Sequence, residues 1–155
     1  MTLPQKLTGL VLTVLSISVF SHAAEKRIPK SSLPPAVART AEQQSQGARV
    51  RGYTQDNENG QVEYEVEMTV SGHSKDVSIG GDGRVLEVEE QVEMGALPAA
   101  VQAGLKQKAG SRSITKIESI SKHDVIVAYE AQVMTQGKQK EIQVGPFGQT
   151  LDREE

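Results

Sequence analysis

Apolar and polar residues alternate at two different periods along this chain. Val62, Tyr64, Val66, Met68 and Val70 interleave with Glu63, Glu65, Glu67 and Thr69. A period of two sends the two sets to opposite faces of a strand, one packed and one wet. Upstream, Leu33, Val37 and Ala41 recur every fourth residue, the stripe of a short helix. Pro34 suits its first turn, where a missing N–H costs nothing. Ser32 is the expected N-cap and Gly47 is placed to end the helix. Asn59-Gly60 predicts a tight turn, because both residues tolerate positive φ. Gly72-His73 then turns the chain into a strand around Val77 and Ile79. Gly80-Gly81-Asp82-Gly83 turns it into another that opens with Val85 and Leu86.

The same series returns further on. Leu33-Pro34-Pro35-Ala36-Val37 matches Leu97-Pro98-Ala99-Ala100-Val101 at an offset of 64, as Val50 matches Ile114 and Tyr53 matches Ile117. After a one-residue slip the offset becomes 65, pairing Tyr64-Glu65-Val66 with Tyr129-Glu130-Ala131 and Lys75-Asp76-Val77 with Lys140-Glu141-Ile142. Gly72, Gly83 and Leu86 meet Gly137, Gly148 and Leu151. Leu97, Val101, Leu105 and Ala109 repeat the helical stripe and Gly110 ends it. Apolar, turn and charged positions stay in phase throughout, the signature of an internal repeat. The expected fold is α+β: two tandem antiparallel repeats of one helix and four strands, with the helices packed on one face of the sheet. Residues 33–90 form the first repeat and 97–155 the second, joined by a linker at 91–96 and preceded by one at 24–32.

The start of the chain reads as an address. Lys6 is followed by an apolar run from Leu7 to Phe20 and then by Ser21-His22-Ala23-Ala24, which describes a signal peptide over residues 1–23, cleaved after Ala23. Fourteen helical residues reach only about 21 Å, short of a hydrocarbon core of roughly 30 Å. The protein is therefore expected to be exported, in the periplasm or secreted beyond it, with no stable membrane anchor. Removing Lys6 leaves 16 basic residues against 20 acidic ones.

Composition narrows the chemistry. With no cysteine there is no disulfide, thiolate metal site or Cys nucleophile. Three Tyr, two Phe and a net negative charge do not suit nucleic-acid binding. His73 and His123 sit in turn-like contexts, and no Gly-x-Ser-x-Gly elbow accompanies them, so they read as solvated histidines and not as catalysts or metal ligands. Asp56-Asn57-Glu58-Asn59-Gly60 has the acidic spacing of a calcium loop. It has Gln61 where that loop needs Gly and a strand where it needs a helix, so a hairpin is expected. No catalytic residue, cofactor or metal site is expected.

Candidate partner contacts come from two places. Glu63, Glu65 and Glu67 form a row on the wet face of one strand, a solvated face or a surface for a basic partner. In the second repeat Ile126, Ala128 and Met134 take positions where the first repeat carries polar residues. They cover the seam between the repeats, lie beneath a loop, or face a partner. Glu87, Glu89, Glu90 and Glu93 read as a charged edge or linker that discourages strand-to-strand aggregation.

The helix opening Leu33-Pro34-Pro35-Ala36-Val37, the strand core Tyr64-Glu65-Val66 and the ending Asp82-Gly83-Arg84-Val85-Leu86 resemble the PepSY and PepSY-like superfamily. The second repeat departs at the last motif, where Phe147-Gly148-Gln149-Thr150-Leu151 has lost the turn Asp. The beta-lactamase inhibitory protein is similar in being two such units joined in one sheet. The resemblance implies a non-enzymatic, exported module that binds and restrains another exported protein, such as a peptidase. The alternative is a periplasmic module that senses a small ligand or metal ion in the groove between the repeats.

Overall fold

The computed structural model describes residues 26–58 and 60–151. The expected signal peptide lies outside the described residues. Eight antiparallel strands follow one another in a single sheet whose spatial order is the chain order. They are β1 (Lys26–Ile28), β2 (Arg49–Glu58), β3 (Gln61–Val70), β4 (His73–Gly80), β5 (Val85–Gln91), β6 (Ser113–Lys122), β7 (Val125–Thr135) and β8 (Lys138–Val144). Helix α1 (Pro35–Gln44) lies between β1 and β2, and α2 (Ala99–Ala109) between β5 and β6.

The strands form where alternation predicts them, and their registers carry one face across the whole sheet. Val66 pairs with Val77 and Val77 with Val88, and Val88 pairs with Ser121. One step along, Glu90 pairs with Ser119, Ser119 with Tyr129 and Tyr129 with Val144. Both helices cover this face. Leu33, Val37 and Ala41 pack over Val66, Met68, Val77 and Ile79, while Leu97, Val101, Leu105 and Ala109 pack over Ile117, Tyr129, Ala131, Val133, Ile142 and Val144. Each helix buries its apolar stripe, and that burial holds it, since neither helix has a side-chain N-cap.

The structure corrects the sequence reading at three places. Ser32 does not cap α1: it ends a single turn of 3-10 helix, and Pro34 occupies the cap position, its preset φ starting the helix without a capping side chain. The second helix-and-strand series has three strands among the described residues, not four. The eighth strand of the sheet comes instead from the expected N-terminal linker, where β1 adds to the outer edge of β2 and turns Ile28 towards the first core. Finally, β5 is not an edge, because it pairs with β4 on one side and β6 on the other. Its Glu87, Glu89 and Glu90 therefore lie mid-sheet.

Candidate functional site: the helix-free face

The face opposite the helices is covered by no helix among the described residues. Register assigns its occupants. Gly52, Glu67, Asp76, Glu89, Ile120 and Ala128 are cross-strand neighbours in one row running from β2 to β7. A parallel row on one side holds Thr54, Glu65, Ser78 and Glu87. On the other side Gln91, Glu118, Glu130 and Gln143 form a third. Neighbours within a row stand about 4.8 Å apart and rows about 6.8 Å apart, so the centre of this face is a lattice of carboxylates.

Five of the six residues singled out from the sequence fall on this face: Glu63, Glu65 and Glu67 along β3, and Ala128 and Met134 along β7. A bulge between Ala128 and Ile126 breaks the alternation, and Ile126 pairs with Ser121 on the helix side. They are not equally available to a partner. Ile126 is 40% and Met134 38% exposed, but Ala128 is completely buried beside Ile120. Ala128 thus belongs to the packing of the face rather than to its contact surface.

The sequence reading missed the middle of the lattice. Glu87 and Glu89 follow the same alternation against Val88 that flags the row on β3, but their dense charge resembled an edge. Cations stand around them. Arg27 meets Glu67 at 2.7 Å and Arg51 meets Asp76 at 2.6 Å. Lys116 meets Glu118 at 2.6 Å and Lys122 meets Glu87 at 3.4 Å. The Glu118 carboxylate also accepts from the Ser74 hydroxyl, and Glu130 accepts from the Gln143 amide at 2.9 Å. Burial raises the pKa of Asp76 in spite of Arg51. Burial also pushes Glu89 up to about 9, and the carboxylates of Glu87, Glu118, Glu130 and Glu65 push in the same direction. No cation or hydrogen-bond donor reaches Glu89 among the described residues.

On the helix side, a groove of about 290 Å³ opens at the seam between the two helix-covered halves. Gln44, Val85, Val88, Ser121 and Asp124 line it, together with the Lys75–Glu90 ion pair at 2.6 Å. His123 is at its rim, in a two-residue turn where both His123 and Asp124 have positive φ. His73 opens β4, with Nε2 at 3.6 Å from the Glu93 carboxylate. Among the described residues no group of three or more His, Asp or Glu side chains is placed to hold a metal ion. Asp56, Asn57 and Glu58 close strand β2, which pairs with β3 through to Glu58 and Gln61.

These features define a helix-backed, single-sheet protein whose other face carries no helix among the described residues. No known protein family matches the chain, and no curated protein does either. Its likeness is to solved structures. One is an inferred periplasmic protein of Bacteroides eggerthii, 15% identical, with a TM-score of 0.61 over 76% of this chain and 85% of that one. A DUF2874 family protein of Bacteroides ovatus, 15% identical, reaches 0.59 over 77% and 84%. A BLIP-like protein of Bacteroides fragilis, 16% identical, reaches 0.55 over 75% and 81%. The fold is shared with all three.

Proposed function

We propose that this chain is an exported, non-enzymatic protein that docks another exported protein, such as a peptidase or other envelope enzyme, on its helix-free face and restrains it. The carrying observation is the build of the sheet: two helices back one side, and the other side presents carboxylate rows with exposed Met134 beside them. A pre-formed rigid face can block an active site sterically without catalytic residues. The apolar start of the chain supports export, and the periplasmic assignment and BLIP-like description of the structural neighbours agree with this reading.

The reading includes a duplicated unit of PepSY-like type, the first over 33–90 and the second over 97–155. Equivalent details support it. Bulges interrupt β2 at Arg51 and β6 at Thr115. The turn in which Gly83 donates to Gly80 is matched by Gly148 donating to Gly145, each bond 2.8 Å long. Gly83 lies against Ala36 of α1 as Gly148 lies against Ala100 of α2.

The test is inhibition of purified envelope peptidases, with capture from an envelope extract to find the partner. Charge reversal at Glu63 and Glu65, or Met134→Asp, is expected to weaken both capture and inhibition at least tenfold. No inhibition and no specific capture by the native protein would sink the proposal. The seam groove favours a second reading, a small-ligand site spanning the halves. A thermal-shift panel of metal ions and small solutes tests it: Glu90→Gln should abolish any stabilisation, and a flat response would remove this reading.

A further inference from the structure

We infer that the seam groove on the helix side takes a small zwitterion: an α-amino acid with an aliphatic side chain, or a short peptide built from such residues. This rests on the small-ligand reading of the groove given above and names the chemistry of its ligand; it is independent of docking on the helix-free face.

The groove combines an apolar strip with polar groups that the protein leaves unused. Its volume of about 290 Å³ is at the lower end for small-molecule pockets, which run from about 300 to 1,000 Å³, so its occupant is small. Val85 and Val88 line it, and the row that holds Val88 continues through Ser121 to the exposed Ile126. That strip gives an aliphatic side chain a surface to cover. Among the described residues the side chains of Gln44, Ser121, His123 and Asp124 make no hydrogen bond or ion pair within the protein. The turn that brings His123 and Asp124 to the groove is also built against its own backbone, since both have left-handed φ, +52° and +61°. The β3–β4 and β7–β8 hairpins turn in the same way but place glycine second, Gly72 and Gly137, and Gly60 stands there between β2 and β3. Glycine takes that conformation without strain. Alone among these turns, β6–β7 keeps a charged side chain at the second position, and it is the turn that lines the groove. A side chain held in strained backbone at the wall of a cavity points to use.

Charge decides the class of ligand. Lys75 and Glu90 are already paired at 2.6 Å in the groove. A ligand with a single charge competes with that pair and leaves one member uncompensated, and Asp124 repels an anion. A zwitterion adds to the pair instead. Its carboxylate is attracted by Lys75 and its ammonium by Glu90 and Asp124, so every charge keeps an opposite neighbour. The Ser121 hydroxyl and Gln44 amide supply further donors and acceptors.

The test titrates the intact, isotope-labelled chain with L-leucine, leucyl-leucine, glycine, N-acetyl-leucine and leucinamide, and follows the backbone amides by NMR. Leucine or leucyl-leucine is expected to give saturable shifts at Ser121, His123 and Asp124 at millimolar concentration or below, and the tighter of the two tells the free amino acid from the peptide. Glycine lacks the side chain, N-acetyl-leucine the ammonium and leucinamide the carboxylate, and each should bind about tenfold more weakly or worse. Asp124→Gly removes the carboxylate and relaxes the turn, so the protein should keep or raise its thermal midpoint while binding weakens about tenfold. Glu63→Gln, on the other face, should bind as the native protein does. No saturable shift with either zwitterion, a singly charged probe that binds as well as leucine, or an Asp124→Gly protein with native affinity would each overturn the proposal. The two readings of the groove fail separately. If calcium or another solute shifts these amides and the zwitterions do not, the groove remains a ligand site and the zwitterion is wrong; if nothing shifts them, both fall.

Discussion

Glu89 is where a single residue works against the fold. Its carboxyl has the ordinary pKa in the unfolded chain and one pushed up to about 9 in the folded protein. Below the ordinary carboxylate range both states hold the proton and folding is unaffected. As pH rises the unfolded chain releases the proton first, so stability falls until Glu89 itself ionises near 9. Glu89→Gln keeps the shape and removes this effect. Urea unfolding should find the variant more stable by roughly 1–3 kcal/mol at about pH 8 and unchanged at about pH 4. Equal stability at both pH values would show that the native site leaves Glu89 ionised. The alternation of Glu87 and Glu89 around Val88 was legible in the sequence as a strand with one polar face. Its place in mid-sheet was not, because that depends on β6 pairing with β5 across α2, and no local pattern encodes such a pairing.

At the scale of elements, each helix is seated by a turn that follows its strands. The Thr40 hydroxyl donates to the Gly83 carbonyl at 2.6 Å, and Gly83 lies against the backbone of Ala36. In the second half a Cβ on Gly148 would collide with the Ala100 carbonyl, and one on Gly104 with the Gly148 carbonyl. Gly148 also has a φ of +78°. Gly148→Ala should therefore lose about 3 kcal/mol or more, combining a left-handed backbone penalty with overpacking. Gly137, at φ +75° with open space where its Cβ would be, isolates the backbone cost, and Gly137→Ala should lose only about 1–2 kcal/mol. Thermal unfolding of the two variants checks the difference. The helices were readable because Val37, Ala41, Val101 and Leu105 keep a strict apolar spacing. The strand β1 was not, because Lys26-Arg27-Ile28 is too short and charged to signal a strand without the edge of β2 beside it.

At the scale of the molecule, the two cores lie under separate helices but share one hydrogen-bonded sheet, joined where β5 meets β6. Halves of this size without disulfides are marginal alone. The chain should unfold in one cooperative transition. Tyr53 and Tyr64 report on the first core and Tyr129 on the second, so Tyr129→Phe and a Tyr53→Phe, Tyr64→Phe double variant should each give the same midpoint by fluorescence as by circular dichroism. Two separate midpoints would mean that the seam does not couple the halves. The continuity of the sheet was not legible from the repeat, since matched halves are equally compatible with two sheets packed together. The strand order has a further consequence, for the moments before the fold is complete. Because each strand pairs only with those next to it in the chain, none waits for a distant partner, and contacts so close in sequence favour rapid assembly. A sheet growing in chain order reaches β5 and pauses there while α2 is laid down. For that interval β5 is the growing edge, and Glu87, Glu89 and Glu90 give it a charge that repels the edges of other unfinished chains. The acidity that burdens the finished sheet guards the unfinished one.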